Sequence, residues 1–568
     1  MRSTTTSRRV FLQATATAGA AAAAAETRPA RASAATSFLA LVRPPDGVLA
    51  QVDDSRTALE KTGDGWAGGG VVVETRTRGD QLDVRVRSAA PLRRVQLRWA
   101  APVAEGLRVL GDHWERGYGD LEWRGIVPER PLPWLFLTHD GRRTHGYGVR
   151  TGARALAHWQ LDGEGVSLWL DLRNGGRGVE LGARQLEAAT VVAREGHDGE
   201  SPFAAARALC AMLSSGARMP AAPVYGGNSW YSAYDRIDAD GIRAMADDVA
   251  ALAPSSANRP FAVVDSGWQA AIGLHAAAGG PWREPNRLFP AMDRLAEDLR
   301  GRGTRPGIWL RPLVTVDRVP ESWTLPTSRF KGDYPGVVLD PSVPEVLELV
   351  KADVARAARD WRYALVKHDF TTYDLFGRWG FEMGASVTPD GWGFADRTRT
   401  SAEIVRALYQ AIRDAAGEAL LIGCNTIGHL AVGLFELQRT GDDTSGREWE
   451  RTRKMGVNTL AFRLPQHGTF FAADADCAAV TRALPWLLAR RWLELVAASG
   501  TPLFLSHTRE AMGPEQKEAV RRAFARAALP QPAAEPLDWL SSTCPRRWRL
   551  GGSDTVFEWT GPGGVDVA

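Results

Sequence analysis

"EVLELVKADVARAARDWRYALVKHDF" (residues 345–370) changes rhythm partway along. Up to Trp361 its apolar residues return every three or four positions, Val346, Val350, Val354 and Ala357 among them, which is the period of an amphipathic helix. "YALVKHDF" (363–370) is instead a short apolar run that stops on Lys367, His368 and Asp369. A helix followed closely by a buried strand is one repeat of an alternating α/β fold. Side chains alternate along a strand, so Leu365, Lys367 and Asp369 share one face while Val366 and His368 share the other. The second face packs against helices and makes His368 structural. On the first face, a cation beneath a carboxylate would keep that carboxylate ionised and could donate to a ligand hydroxyl. A structural ion pair at the strand end explains the spacing equally well.

Working outward, short apolar strands recur in "VYGGNSW", "FAVVDSG", "RPGIWLRP", "ALLIGCN", "LFELQRTGDD", "NTLAFRLP" and "TPLFLS", with helices such as "MDRLAEDLRGRG" between them. Together with "YALVKHDF" they make eight strands, the count and size of a (β/α)8 barrel spanning residues 222–535. A doubly wound open sheet is the competitor, but it would show a GxGxxG turn after its first strand and none is there.

Residues 35–200 have period two: "VVVETRTRGDQLDVRVRS" reads as a hairpin around Gly79-Asp80, and "LRRVQLRWA" and "VSLWLDLRN" alternate likewise. An N-terminal β-sandwich is expected here. An Ala-rich helix in a linker, residues 201–221, leads to the barrel, and a hairpin-like "WRLGGSDTVFEWTG" gives a short C-terminal β region over 536–568. Residues 1–34 are a different kind of segment. "SRRVFLQ", an Ala-rich stretch and "ASAA" form a twin-arginine export signal, which implies a periplasmic or extracellular protein translocated already folded.

Bulk properties exclude several functions. A net charge of +3 over 568 residues gives no electrostatic case for nucleic acid or an anionic membrane, and no apolar run past the signal is long enough to span one. Cys210, Cys424, Cys477 and Cys544 have no CxxC spacing, the ten histidines are scattered and HExxH is absent, so neither metal nor cofactor is expected. Twenty-one Trp is high; indoles stack on the C–H faces of sugars, but large β-rich proteins also use Trp as core filler, and each Trp taken singly reads as core.

In a barrel, functional side chains gather at the C-terminal strand ends. Those ends carry Trp230-Tyr231, Asp265, Trp309, Lys367 with Asp369, Cys424, and Arg439 with Asp442-Asp443. Two carboxylates from different strands suit glycoside hydrolysis, one attacking the anomeric carbon and the other protonating the leaving oxygen.

In these segments the chain resembles glycoside hydrolase families 36 and 27, the α-galactosidase or melibiase-like group, and particularly the bacterial family 36 type. The likeness runs nearly collinearly from "GGNSWY" to "GTPLFLS", about half the chain. "KHDF" is similar to the family's K-x-D-F motif, and "IGCNTIGHLAVGLFELQRTGDDT" to its G-C-x-(S/T) strand followed by R-x-x-x-D-T. "RLFPAMDRLAEDLRGRGTRPGIWLRP" and "LDPSVPEVLELV" resemble the segments around its third strand.

The resemblance implies a retaining, exo-acting α-galactosidase with Asp369 as nucleophile and Asp443 as acid/base. Lys367, Arg439, Trp230, Tyr231, Trp309, Asp265 and Cys424 would bind the sugar. R-x-x-x-D spacing selects Asp443 over Asp442. An acid/base group would need its pKa raised by burial or by the nucleophile's charge.

The chain departs from the family at "VVDSGW", where Ser266 stands in place of the second of two adjacent aspartates that grip the sugar. That exchange opens a related substrate: an α-N-acetylgalactosaminide, a β-L-arabinopyranoside or a 6-deoxy sugar. "FFAADADC" also lacks the family's Asn, and Asp474 and Asp476 read as loop-capping. The loop "GDHWERGYGDLEW" could lean over the barrel mouth with Trp114, Tyr118 or Trp123, but a core role serves as well, and the candidate site excludes it. The expected partner is an oligosaccharide or glycoside, with an oligomer possible. The rival class is a catalytically silent carbohydrate-binding relative, which would have no use for both acids.

Overall fold

The computed structural model describes residues 38–565 apart from positions 64, 105, 272–278, 332–335 and 562. The twin-arginine segment lies outside the described residues.

Two antiparallel sheets form the first part. The six-stranded sheet runs, in spatial order, Ser55–Ala58, Gly47–Val52, Leu92–Ala100, Gly165–Asp171, Leu156–Asp162 and Leu132–Pro133. The eight-stranded sheet contains the hairpin Val71–Arg78/Gln81–Ser88, whose Arg78↔Gln81 pairing leaves Gly79-Asp80 as a two-residue turn, with Gly79 at φ +59°. Inward residues Val71, Val73, Leu82, Val84 and Val86 are buried while their neighbours are not, as period two requires. Trp99, Trp134 and Trp159 fill the interior, all fully buried, so these indoles are core. The helix Pro202–Leu213 starts at Ser201, whose hydroxyl accepts from Ala204 N, and packs on the sheet through Leu209 and Leu213. Gly146 and Gly148 make that contact possible, because a Cβ there would sit 2.9 and 2.7 Å from the two leucines.

The second part is a parallel barrel. Its strands are β1 (Tyr225–Asn228), β2 (Phe261–Val264), β3 (Arg305–Leu310), β4 (Leu365–His368), β5 (Leu420–Gly423), β6 (Leu437–Arg439), β7 (Ala472–Asp474), β8 (Cys477–Val480) and β9 (Leu503–His507). Hydrogen bonding follows the order β7-β6-β5-β4-β3-β2-β1-β9-β8. β7 and β8 are the halves of one strand interrupted at Ala475-Asp476, where Asp476 takes φ +68°. The first half pairs with β6 and the second with β9, which closes the barrel with eight staves. The intervening helices are built from local signals. Thr400 and Glu403 form a reciprocal cap on Ser401–Ala416, and Asp238 accepts from Gly241 N ahead of Ala239–Leu252.

The seventh stave corrects the sequence reading. "NTLAFRLP" is helical, with Thr459–Arg463 continuing a π-helical turn over Arg453–Asn458. A short apolar run does not distinguish a buried strand from a buried helix. The strand is instead in "FFAADADC", which its carboxylates disguised as loop.

A three-stranded antiparallel sheet, Glu535–Pro536, Arg547–Leu550 and Ser553–Val556, follows the barrel. The four cysteines are free and buried. Among the described residues no helix is long and apolar enough to cross a membrane, and no cluster of His, Cys, Asp and Glu has metal-binding form.

Candidate active site

β4 ends in a tight backbone device. Asp369 N donates to Leu310 O (2.9 Å), and Phe370 then takes the left-handed conformation at φ +61°, sparsely populated for a bulky residue. This turns the Asp369 carboxylate into the barrel mouth. Its Oδ1 accepts from Phe370 N (2.7 Å) and Asn425 N (3.1 Å), and its Oδ2 from Trp309 Nε1 (3.1 Å). The Phe370 ring rests on the Arg311 guanidinium at 4.1 Å, and Arg311, fully buried, pairs with Asp374 one turn on. Burial alone would raise the Asp369 pKa, but Lys367, Arg116 and the Trp309 bond outweigh it and hold the carboxyl below its ordinary value.

Lys367 does not bond Asp369, contrary to the simple reading of the strand face. Its Nζ lies 2.7 Å from Asp265 Oδ2, which also accepts from Asn228 Nδ2 (2.8 Å), and Asp265 Oδ1 accepts from Ser266 N (2.9 Å). Burial works against the ammonium, yet Asp265 overcomes it and keeps Lys367 protonated. Lys367 therefore acts on Asp369 through its field. Ser266 Oγ accepts from Gln269 Nε2 (2.9 Å) and opens into the same space. His368 is buried against Tyr409 and Phe435 on the opposite strand face, as alternation requires.

Beyond β6, Asp442 and Asp443 diverge. Asp442 is held between two cations, Arg116 Nη2 (2.9 Å) and Arg451 Nη2 (2.9 Å). Asp443 accepts from Arg439 Nη2 (3.2 Å) and keeps 37% of its side-chain surface open. Burial pushes the Asp443 carboxyl up, but Arg439, Arg116, Lys367 and Arg451 together pull it down to about 2. This reverses the raised pKa expected of a proton donor. Burial instead raises two acids near Asp443 that do not line the cavity, Asp474, pushed up to about 6, and Glu115. Asp474 caps the strand break by accepting from Asp476 N (3.0 Å), while Asp476 braces Arg439 (2.9 Å) and Thr444 N (2.9 Å).

Trp230, Asp265, Ser266, Trp309, Lys367, Asp369 and Asp443 thus line one cavity of about 310 Å³. Tyr231, Cys424 and Arg439 are not in its lining. They stand behind the wall, with Arg439 bonding Asp443, Asp476 and Cys424 Sγ (3.3 Å), and the Tyr231 hydroxyl donating to Asp476. In this position Arg439 and Tyr231 brace Asp443 and Asp476 from behind the wall.

Sequence reading missed Arg116, Phe370, Trp379, Phe381 and Arg451, which complete the lining together with Asp442. Arg116 arrives from the sandwich. Loop 111–123 docks on the barrel through Gly117 N to Thr440 O (2.8 Å) and Asp442 N to Gly117 O (2.9 Å). Trp114 and Trp123, offered as lid aromatics, are buried in the core. Glu115, also buried, accepts from Gly380 N (2.9 Å) and from Asn425 Nδ2, which ties the loop to the residue whose backbone holds Asp369. The usable signal was "ERGYG", a charged pair followed by two glycines that let the backbone approach the barrel closely.

The β-sandwich, the barrel with carboxylates at its strand ends and the short β sheet that follows define a fold shared with family 36 glycoside hydrolases. No protein-family model matches the chain. An α-galactosidase from Thermus thermophilus, solved with p-nitrophenyl α-D-galactopyranoside, superimposes with a TM-score of 0.57 at 20% identity, covering 90% of this chain and 98% of its own. Solved with stachyose, the Thermus enzyme gives 0.54 at 21% identity, covering 84% and 99%. A variant of a family 36 α-galactosidase from Geobacillus stearothermophilus, bound to 1-deoxygalactonojirimycin, gives 0.57 at 14% identity, covering 88% and 78%.

Proposed function

We propose that the chain is a retaining, exo-acting glycoside hydrolase whose substrate is an α-galactoside or a close relative. The observation that carries the reading is that Asp369 and Asp443 open from different strand ends into one small cavity, each carboxylate oriented by its own donors. A cavity of about 310 Å³ lies at the small end of ligand pockets, which suits a single terminal sugar.

Asp369, ionised and fixed, attacks the anomeric carbon as the bond to the leaving oxygen breaks, and Asp443 gives that oxygen its proton. Asp443 then takes a proton from water, which attacks the same carbon and releases Asp369. The cations around Asp443 favour its base form. Donation therefore depends on the ligand displacing water from the cavity and on the negative charge of Asp369 nearby, which raises a neighbouring acid's pKa. Trp230 and Trp309 offer faces to the ring, and Asp265 and Lys367 offer an acceptor and a donor to its hydroxyls.

Ser266 favours a second reading within the class. Its hydroxyl, already accepting from Gln269, cannot give the charge-assisted bonds of a carboxylate, which suits a sugar altered at the 4- or 6-position. The Thermus α-galactosidase solved in complex with stachyose supports an oligosaccharide ligand. Residues 1–34 support export, and four buried free thiols suit a protein that folds in a reducing compartment before it leaves.

A panel of p-nitrophenyl glycosides, covering α-galactoside, α-N-acetylgalactosaminide, β-L-arabinopyranoside and a 6-deoxy sugar, tests the reading with NMR detection of the first-formed anomer. Retention is expected, and a 2-fluoro glycoside should label Asp369. Inversion would remove the double displacement. Binding without turnover of any substrate would favour the carbohydrate-binding alternative.

A further inference from the structure

We propose that Asp476 is a positioning residue for the proton donor: through Arg439 and Thr444 it fixes where Asp443 stands and sets how firmly Asp443 holds its proton. This role rests on the hydrolase reading above. Asp476 does not line the cavity and is only 5% exposed, so it acts on the reaction through its neighbours.

Four donors converge on one of its oxygens. Oδ2 accepts from Arg439 Nη2 (2.9 Å), Thr444 N (2.9 Å), Thr444 Oγ1 (3.0 Å) and the Tyr231 hydroxyl. Arg439 and Thr444 lie on either side of Asp443 in the chain, and Tyr231 follows β1, so a single carboxylate ties the proton donor's segment to the far side of the barrel mouth. The break between β7 and β8 delivers it there. Asp476 takes φ +68°, a left-handed conformation that aspartate tolerates better than most side chains, while its N–H donates to Asp474 Oδ1 (3.0 Å).

Arg439 is divided between two carboxylates. Its Nη2 meets Asp476 at 2.9 Å and Asp443 at 3.2 Å, and its Nη1 meets Cys424 Sγ at 3.3 Å. Burial works against the guanidinium, and Asp476, ahead of Cys424 and Asp443, sustains its charge. Burial likewise raises the Asp443 carboxyl, and Arg439 leads the cations that pull it down. A guanidinium directed mainly at Asp476 pulls less on Asp443, which helps a group that must give up a proton to hold one first. The other groups facing Asp443 are Arg116 from the sandwich loop, Lys367 from β4 and Arg451 from the Trp449–Thr452 turn, opposed by Asp369, with Asp442 between the two arginines. Tyr231, Asp474 and Cys477 face Asp476. Among the described residues, Arg439 alone pairs with both Asp443 and Asp476.

The test follows kcat/KM against pH on a glycoside with a poor leaving group and on the glycosyl fluoride of the same sugar. Asp476→Asn keeps the shape and an acceptor for Thr444 N but removes the charge that holds Arg439, leaving the guanidinium to Asp443. On the glycoside its basic limb should move to lower pH by roughly half a unit to one unit, and rates on that limb should fall roughly 3- to 10-fold. Tyr231→Phe takes one donor from Asp476, strengthens its hold on Arg439 and should move the limb to higher pH. The fluoride, whose departure needs little protonation, should show neither displacement. A limb that stays in place, or a loss of equal size on both substrates at every pH, would overturn the positioning role and leave the hydrolase reading standing. If Asp476→Asn does not fold, the direction of the Tyr231→Phe displacement decides by itself. An unaltered protein that turns over neither substrate would overturn the hydrolase reading and the positioning role with it.

Discussion

Lys367 and Asp265 form a buried ion pair, Nζ to Oδ2 2.7 Å, that joins the ends of β4 and β2 across the intervening β3. Removing the ammonium leaves a carboxylate buried without its cation, so Lys367→Met should cost about 3 kcal/mol, the low end for a broken buried pair because Asn228 and Ser266 N still donate to Asp265. The loss should appear as a lower Tm. Lys367→Met combined with Asp265→Leu should recover part of the Tm but none of the activity. Recovery of both would mean that the pair has a structural role only.

Ser266 sits one residue beyond Asp265 and opens into the cavity with a single hydroxyl. A carboxylate in its place could accept a charge-assisted bond from a sugar hydroxyl, worth about 1.5–3 kcal/mol. Ser266→Asp should therefore shift the ratio of kcat/KM for α-galactoside over its 6-deoxy analogue by roughly 10- to 100-fold toward galactoside. An unchanged ratio would show that Ser266 does not set the specificity.

Gly119 has φ +78°, and a Cβ there would meet Lys454 Cβ at 2.6 Å. Gly119→Ala is thus both strained and obstructed, and should cost about 1–3 kcal/mol or push the loop off the barrel. Because Arg116 rides on that loop, turnover should fall along with Tm. Gly125, with open space around it and no positive φ, supplies the control, and Gly125→Ala should leave both unchanged. Full activity in Gly119→Ala would show that the cavity does not depend on how the sandwich loop docks.

The strand ends were readable because each signal is local. "YALVKHDF" shows its strand, its break and its two faces in eight residues, and the apolar runs of β1 to β6 and β9 are bounded by turns. The seventh stave was not readable, since Asp474 and Asp476 look like turn residues until Arg439 is brought beside them by the β6–β7 register. Arg116 was hidden for a stronger reason. It lies over 100 residues before Trp230, the first lining residue past the linker, and only the docking of its loop on the barrel brings it to Asp442. The Lys367 partnership was misassigned because a strand face specifies direction but not which of two nearby carboxylates is in reach.

Asp443 is governed by unlike neighbours whose removal should move it in opposite directions. Its carboxyl, down at about 2, is ionised in the open cavity at neutral pH, held there by Arg439 from β6, Arg116 from the sandwich loop, Lys367 from β4 and Arg451 from the helix after the strand. Asp369 and Asp442 are the anions that oppose them. A carboxyl depressed in this way favours the folded state above its unfolded pKa of about 4, and that contribution fades as pH falls through the folded value. For catalysis the same shift makes the proton scarce, so kcat/KM on poor leaving groups should rise as pH falls through the acidic range. Arg451→Met removes one cation from a side chain that is 38% exposed, where the fold tolerates change. It should move the basic limb of the kcat/KM profile to higher pH by up to about one unit. Asp442→Asn removes the anion standing between Arg116 and Arg451, and should move that limb to lower pH. A glycosyl fluoride, whose leaving group needs little protonation, should show neither displacement. Shifts of the same sign in both variants would mean that Asp443 is not the group whose titration limits the reaction.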